Sequence, residues 1–232
     1  MTAVCDLYQA APHLHEQGVH VISTDEKTGI QALERAAPTL PLQPATAERP
    51  GRVERQEYEY IRHGTQCLIA NFEVATGAVL APTVGPTRTE EDFAAHLAQT
   101  VATDPEAEWI FVTDQLNTHQ SESLVRWVAA ACGLVVELGE KEKSGILKSM
   151  PTRAAFLSDP SHRIRFVYTP KHCSWLNQIE IWFSLLVRRL LKRASFTSTE
   201  QLRARILEFI AFFNRTLAKP FKWTYRGRPL QV

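Results

Sequence analysis

The chain has 232 residues, 44% of them hydrophobic, which is enough for one full core or for one core with a small appendage. No apolar run reaches membrane-spanning length, and the N-terminus lacks the basic-then-apolar pattern of a signal peptide. The four cysteines form no close pair, which argues against a zinc site or a disulfide framework and is typical of a reducing cytoplasm.

The formal net charge of +1 hides a strong division of charge along the chain. Residues 162–232 hold 14 Lys and Arg but only 3 Asp and Glu, whereas residues 1–161 hold 12 Lys and Arg and 22 Asp and Glu. This asymmetry favours a polyanionic partner for the basic part of the chain. Pairing of the two parts across one fold would explain it equally well, so composition leaves both interpretations open.

The first third of the chain combines one predicted helix with predicted strands. Apolar residues at helical spacing predict a helix over residues 1–17, and the nearly all-apolar run 19–25 is typical of a buried strand. Four prolines predict a loop over residues 36–51. Further strands are predicted at 56–62, 66–74 and 78–82.

Helices and strands alternate in the rest of the chain. Thr89 and the acids after it predict the start of a helix, because the acids suit the positive end of its dipole. A strand over 109–114 and a helix over about 120–132 follow. The remaining predicted elements are a Lys/Glu-rich segment at 137–148, a strand at about 164–168, a long helix at about 174–193 with a core stripe from Trp175 to Leu190, and a last helix capped by Ser198.

This order of elements predicts an α/β fold. Alternation of strand and helix implies parallel pairing, whereas the first strands can form an antiparallel meander, so a mixed sheet with helices on both faces results. Ligands gather at the carboxyl ends of parallel strands. Asp25 and Asp114 each follow such a strand, so they meet if the two strands are neighbours, which the sequence alone does not prove.

Three carboxylates stand out as candidate metal ligands: Asp25, Asp114 and Glu180, the last beside the apolar stripe of the predicted long helix. Oxygen ligands without His or Cys suit a hard cation such as Mg²⁺ better than zinc, and two such ions can clamp an in-line phosphodiester displacement. Taken singly, each acid has an ordinary explanation. An Asp after a strand is usually a turn residue, and a Glu on a helix is usually solvated.

The surroundings of these acids resemble a known family. The segments Ser23–Lys27, Asp114–His119 and Trp175–Phe183 look like the three acidic blocks of mariner-like DDE transposases, in particular of the bacterial insertion-sequence branch. The similarity runs from about residue 18 to the end of the chain. The third block, with Tyr168-Thr169-Pro170 before it, is its most specific part.

The resemblance implies a ribonuclease H-like fold, with a mixed five-stranded sheet and helices on both faces. It also implies a DNA strand transferase that depends on Mg²⁺ or Mn²⁺, with two ions. Carried over by position, Asp25, Asp114 and Glu180 are the expected metal ligands and catalytic residues. Members of the family use such a site first to cut donor DNA with water and then to join the freed 3′-hydroxyl to target DNA.

The chain departs from the family pattern in three places. Gln115 stands where an Asn is usual, and 65 residues separate Asp114 from Glu180, with the excess expected in 137–162. The helix-turn-helix domains that read transposon ends have no room here. We therefore expect residues 18–232 to be a catalytic domain and residues 1–17 to be an N-terminal helix or a linker remnant, in a truncated copy or in one frame of a split gene.

The expected partners follow from the same resemblance. They are the DNA of transposon ends and target, a second copy of the chain in a homodimer or higher assembly, and a separately encoded helix-turn-helix portion. No membrane partner is expected, and the protein would act in the bacterial cytoplasm on nucleoid DNA.

Further polar residues near the acids have two possible roles each. Asn117 and His119 either support the metal site or contact substrate, or else the Asn117 region caps a helix. Asn177, one turn before Glu180, is expected to orient that carboxylate or the DNA.

A basic track on the predicted long helix is the candidate DNA contact. Arg188, Arg189, Lys192 and Arg193 form two rows at i,i+4 spacing, and Lys171 and His172 precede the helix. An ordinary solvated face is the alternative. The aromatic tail 219–226 is expected to pack on the protein's own core rather than to stack on unpaired bases.

Two other functions remain open. One is another ribonuclease H-like nuclease, such as a resolvase or an RNA-cleaving enzyme, which would lack strand transfer to a 3′-hydroxyl end. The other is an inactive remnant that only binds DNA or a partner transposase.

Overall fold

A five-stranded mixed sheet forms the centre of the computed structural model, which describes residues 1–227. The strand order is β3-β2-β1-β4-β5, with β1 pairing antiparallel to β2 and β2 to β3, whereas β1/β4 and β4/β5 are parallel. The predicted meander and the predicted parallel pairs are therefore both present. The strands are β1 (Val19–Arg35), β2 (Tyr60–Glu73), β3 (Val79–Gly85), β4 (Glu108–Thr113) and β5 (Ile164–Tyr168).

Helices cover both faces of this sheet, as the order of elements predicted. On one face α1, α5 and α6 pack on side chains such as Val21 and Phe72; on the other, α2, α3 and α4 pack on Ile22 and Phe111. Successive strand residues point to opposite faces, so each strand contributes to both cores. The helices are α1 (Thr2–Glu16), α2 (Glu90–Val101), α3 (Glu122–Ala131), α4 (Met150–Leu157), α5 (Gln178–Leu186) and α6 (Thr199–Thr216).

The two longest strands differ from the prediction. β1 does not end at Asp25 but continues to Arg35, and the strands predicted at 56–62 and 66–74 are one strand, β2. Backbone pairing of β1 with β2 sustains both strands through register shifts after Lys27 and Gln31. Residues 60–65 of β2 are exposed, and beyond Asp25 β1 buries only Ile30 and Ala32, so an apolar pattern marked only the buried halves of the two strands.

The predicted long helix is also divided. A 3₁₀ turn (Ser174–Leu176) precedes α5, and a π-helical turn (Val187–Leu191) follows it. Trp175, which was expected in the core stripe, is 51% exposed, whereas Ile179, Trp182, Leu186 and Leu190 are buried as predicted. The stripe fails at its start because the chain enters α5 through the 3₁₀ turn rather than along the helix axis.

Smaller elements show mixed outcomes. Residues 36–51 contain no helix and only isolated bridges, in agreement with the predicted loop. The sequence reading missed α4, although Ser149 and Thr152 form its capping box and Pro151 lies in its first turn. The tail packs on the protein as expected: Phe221 stacks on Phe72 at 4.6 Å, and Trp223 meets Tyr8 edge-on at 5.2 Å.

Within residues 1–227, the chain forms no helix that is both long and apolar enough to span a bilayer.

Candidate active site

Asp25 and Asp114 lie side by side because β1 and β4 are parallel neighbours. The last paired residues of the two strands are Ser23 and Val112, and each aspartate comes two residues later in its own strand direction. β4 ends at Thr113, whereas β1 continues. The two carboxylates therefore occupy the carboxyl end of the parallel pair, where the sequence predicted a ligand site.

The Asp25 carboxylate is largely enclosed, with 7% of the residue exposed. Its Oδ1 accepts a hydrogen bond of 2.8 Å from the Glu26 N–H, and its Oδ2 accepts one of 3.2 Å from the Asn177 amide. Burial raises the pKa of Asp25 to about 7; the charge of His119 opposes this rise, and the charge of Asp114 adds to it. A positive charge near Asp25 would therefore stabilise its ionised form.

His119 links Asp114 to Glu26 through its two ring nitrogens. Its Nδ1–H donates to Asp114 Oδ1 at 2.7 Å, and its Nε2–H donates to Glu26 Oε2 at 3.1 Å. Burial alone would lower the pKa of His119, but the hydrogen bonds and charges of Asp114 and Glu26 outweigh it and raise that pKa to about 10. Burial alone would raise the pKa of Asp114, but the hydrogen bond and the charge of the His119 imidazolium outweigh it and lower that pKa.

Asn177 fastens the start of α5 to β1 beside Asp25. Its amide donates to the Thr24 carbonyl at 2.9 Å as well as to Asp25, and its Oδ1 accepts a hydrogen bond from the Ser23 hydroxyl. The Ser23 Oγ also accepts from the Ile179 N–H at 2.8 Å. Ser23 and Asn177 are fully buried, so this junction fixes where α5 begins relative to Asp25.

Glu180 is the third residue of α5, one turn after Asn177. Residues three apart on a helix lie on the same side, so Glu180 is on the side of α5 that meets Asp25. Glu180 is exposed, and its carboxylate forms no hydrogen bond or ion pair with any of residues 1–227. Asp25 and Asp114 thus lie at the same edge of the sheet, and Glu180 lies in the first turn of a separate helix that Asn177 ties to β1.

The donor set fits a hard divalent cation. The ligand atoms of Asp25, Glu26 and His119 lie within 4.8 Å of one another. Both nitrogens of His119 donate to carboxylates, however, so the ring has no lone pair for a metal, and oxygen donors remain. Glu26 Oε1 is buried without a hydrogen-bond partner, which is an acceptor that a cation would satisfy.

The six predicted DNA-binding residues are all exposed. Lys171 and His172 lie in the loop before the 3₁₀ turn, and none of the six forms an ion pair with residues 1–227. Arg188 and Lys192 share an open cavity of about 580 Å³ with Glu180 and Lys27. Arg188, Arg189 and Arg193 line a second cavity of about 680 Å³ with Arg205. Lys192 therefore faces the cavity of Glu180, Arg189 and Arg193 face the second cavity, and Arg188 borders both.

Some polar residues behave differently from the predictions. Asn117 is exposed and begins a 3₁₀ turn, and the helix cap expected there is provided by Ser121, whose Oγ accepts from the Leu124 N–H. His119, by contrast, contacts Asp114 directly. The sequence reading assigned no role to Ser23, Glu26 or Lys27, although two buried polar residues ahead of Asp25 are an unusual feature of an apolar strand and could have marked the junction.

A protein-family model matches most of the chain. The sequence profile of the family described as "DDE superfamily endonuclease" matches residues 34–203 of the chain. The matched region includes Asp114, Glu180 and the basic track, whereas Asp25 precedes it. No curated protein shows significant sequence similarity to the chain.

Comparison with solved structures concerns the fold. The Mos1 transposase paired-end complex with left transposon end is similar with a TM-score of 0.52 at 11% identity, over 90% of this chain and 53% of that chain. The mariner Mos1 paired-end complex with Mg has a TM-score of 0.34 at 13% identity, over 91% of this chain and 60% of that chain. The first comparison confirms the predicted α/β, ribonuclease H-like sheet. The chain spans about half the length of that solved chain.

Proposed function

The chain belongs to the DDE superfamily endonuclease family, and from this membership we propose that residues 18–232 are the catalytic domain of a DNA transposase of the bacterial insertion-sequence branch. One observation carries the proposal. Asp25 and Asp114 lie at equal register on neighbouring parallel strands, and Asn177 ties the helix of Glu180 to the same point. In this proposal α1 and the residues before β1 are an N-terminal addition to the catalytic domain.

Asp25, Asp114 and Glu180 are proposed to hold two Mg²⁺ or Mn²⁺ ions. Such ions, when bound, neutralise the charge that develops on phosphate and lower the pKa of an attacking hydroxyl. The protein's own contribution is positioning. His119 and Glu26 orient Asp114, and Asn177 orients Asp25 and the start of α5.

DNA is the proposed substrate, as transposon end and as target. The basic character of residues 162–232 and the unpaired cations beside Glu180 support it, because phosphates are met by Lys and Arg side chains. Lys171, His172, Arg188, Arg189, Lys192 and Arg193 are the proposed contacts. The site of action would be nucleoid DNA in the bacterial cytoplasm.

Assembly with a second copy and with a separately encoded helix-turn-helix portion is part of the same proposal. Apolar side chains are exposed on the segment between β1 and β2, where Leu40, Leu42, Val53 and Tyr58 are 61–88% exposed. Exposed apolar groups close together are typical of a protein contact surface. Cross-linking of the chain in the presence and absence of transposon-end DNA would measure such assembly.

The first test is metal-dependent cleavage of transposon-end DNA, with the helix-turn-helix portion supplied where the element encodes one. Cleavage should require Mg²⁺ or Mn²⁺ and should survive a zinc-selective chelator, because the proposed ligands are all oxygens. Asp114→Asn should abolish cleavage and leave DNA binding intact, because this change removes none of the cations of the basic track. Full cleavage by Asp114→Asn would show that Asp114 holds no metal.

A second assay separates transposase from other nucleases of this fold. Joining of a 3′-hydroxyl DNA end to a target plasmid is expected for a transposase. Cleavage of DNA junctions or RNA without joining would instead identify a resolvase-like or RNA-cleaving enzyme. DNA binding without any cleavage would identify an inactive remnant.

A further inference from the structure

A second cluster of metal-ligating side chains lies at the start of β1, before Asp25. It consists of His15 near the end of α1, His20 near the start of β1 and Glu73 at the end of β2. Glu73 Oε1 lies 2.5 Å from His20 Nδ1 and 3.3 Å from His15 Nδ1. The ligand atoms of the three residues are all within 4.8 Å of one another.

The surroundings hold these side chains in place. His20 Nε2 lies 3.3 Å from Asp104 Oδ2, and its ring stacks on Trp109 with centroids 4.1 Å apart. Glu73 Oε2 accepts a hydrogen bond of 2.9 Å from the Thr76 hydroxyl, which leaves Oε1 directed at the two imidazoles. A carboxylate behind one ring nitrogen, with the other nitrogen turned to a common point, is the arrangement that orients histidine ligands in metal sites.

We propose that His15, His20 and Glu73 bind one borderline transition-metal cation, of which Zn²⁺ is the representative, with a fourth position open to water. Two imidazoles and one carboxylate form a donor set that zinc accepts, whereas Mg²⁺ prefers oxygen ligands alone. Tetrahedral bonds of about 2.1 Å separate ligand atoms by roughly 3.4 Å. The His15–Glu73 separation already has this size, and the shorter His20–Glu73 contact lengthens once the metal replaces the proton between them.

This cluster is distinct from the candidate active site. His20 and Asp25 are five residues apart on β1, which corresponds to roughly 16 Å along a strand. An odd separation also puts their side chains on opposite faces of the sheet. The bound cation would join α1 to β1 and β2, so it would stabilise the folded chain rather than take part in phosphodiester chemistry.

A competing explanation needs no metal. A protonated His20 already satisfies Glu73 and Asp104 by hydrogen bonding, so the cluster could be an ion-pair network only. That explanation predicts that zinc neither binds the cluster nor changes the unfolding temperature through it.

The experiment is calorimetric titration of the chelator-treated full chain with Zn²⁺ alone, combined with thermal unfolding at each metal concentration. We expect one zinc ion whose binding raises the unfolding temperature. His15→Ala and Glu73→Gln should each weaken this binding at least tenfold, and Asp104→Asn should weaken it about tenfold, because it removes only the outer hydrogen bond. His13→Ala is the matched control, since His13 is an exposed histidine of the same helix outside the cluster, and it should bind zinc like the unmodified chain.

Two further measurements make the result decisive. Asp25→Asn should keep the zinc ion, because it alters only the other site. Co²⁺ should give the visible spectrum of a tetrahedral site in the unmodified chain and not in His15→Ala, a change at a partly exposed residue that leaves the core intact. Absence of zinc binding, equal binding by His15→Ala, or loss of binding in Asp25→Asn would each overturn the proposal.

Discussion

His119 is the residue on which the charge balance of the candidate active site depends. It is completely buried and donates to one carboxylate from each ring nitrogen. Without it, the negative charges of Asp25, Glu26 and Asp114 would face one another in a region of low dielectric. His119 therefore has a direct effect on the ionisation of the proposed metal ligands without being a ligand.

This arrangement predicts a pH dependence of stability for the metal-free protein. The folded state raises the pKa of His119 from 6.5 to about 10, so its contribution to the free energy of unfolding is complete below about pH 6.5 and is lost as the pH rises through 10. The contribution is on the order of a few kcal/mol. Urea unfolding in chelator at about pH 6, 8 and 10 should show that His119→Asn is most destabilised, relative to the unmodified chain, at the lowest pH. A difference that grows with pH would contradict the assigned charge state.

Asn177 gives a second prediction at the scale of a residue. Asn177→Ala removes the link between α5 and β1 and leaves the buried Ser23 hydroxyl without its acceptor, so we expect a loss of about 1–3 kcal/mol in the free energy of unfolding. It should also abolish cleavage, because Asp25 and Glu180 lose their relative placement. Asn214→Ala is the matched control: Asn214 joins α6 to β3 through Val79 at 2.9 and 2.8 Å, away from the site. Equal loss of cleavage in both variants would assign Asn177 a purely structural role.

At the scale of elements, the sequence predicted what depends on local patterns. β4 and β5 were predicted to within one residue of their observed bounds because they are short and mostly apolar. The second half of β1 and the first half of β2 were misjudged because few of their side chains are buried: only Ile30 and Ala32 of residues 26–35, and none of residues 60–65. That Asp25 lies beside Asp114 could be predicted only from the strand order, which residue spacing does not give. The hydrogen bonds from His119 to Glu26 and Asp114 include a contact between residues 93 positions apart, which spacing does not give either.

The π-helical turn after α5 gives a prediction on DNA binding. Arg188 and Lys192 line the cavity of Glu180, whereas Arg189 and Arg193 line only the second cavity, which Arg188 also borders. Replacing all four by Ala should reduce the salt dependence of DNA affinity by up to about one unit of slope for each lost phosphate contact. The Arg188/Lys192 pair alone should also slow cleavage, because only this pair lies beside Glu180.

The control for that experiment removes two lysines elsewhere. Lys141 and Lys143 form ion pairs with nearby acids, so Lys141→Ala with Lys143→Ala removes as much charge as the Arg188/Lys192 double variant without touching the track. Binding titrations at several salt concentrations measure each slope. An unchanged slope in the quadruple variant would place the DNA contact on another surface.

At the scale of the whole molecule, the division of charge predicts how the chain distinguishes one DNA from another. The proposed contacts are charged side chains that meet phosphates, and phosphate contacts carry no sequence information. We therefore expect weak, salt-sensitive binding with similar affinity for transposon-end DNA and for a scrambled duplex. Titration of both DNAs at the same salt concentration is the test. Strong preference of this chain alone for the transposon end would show that it contains its own element for reading bases.

The central position of β1 has a consequence for the order in which the chain can fold. β1 is synthesised early and can pair with β2, and β2 with β3, while the chain is still growing, because these strands follow one another in sequence. The Ser23–Asn177 bond, in contrast, closes a loop of 154 residues, and such distant contacts form slowly. On the ribosome, Ser23 and Asp25 on β1 therefore have no contact with Asn177 until α5 has been synthesised. A nascent chain has no assembled catalytic centre until most of the protein has been translated.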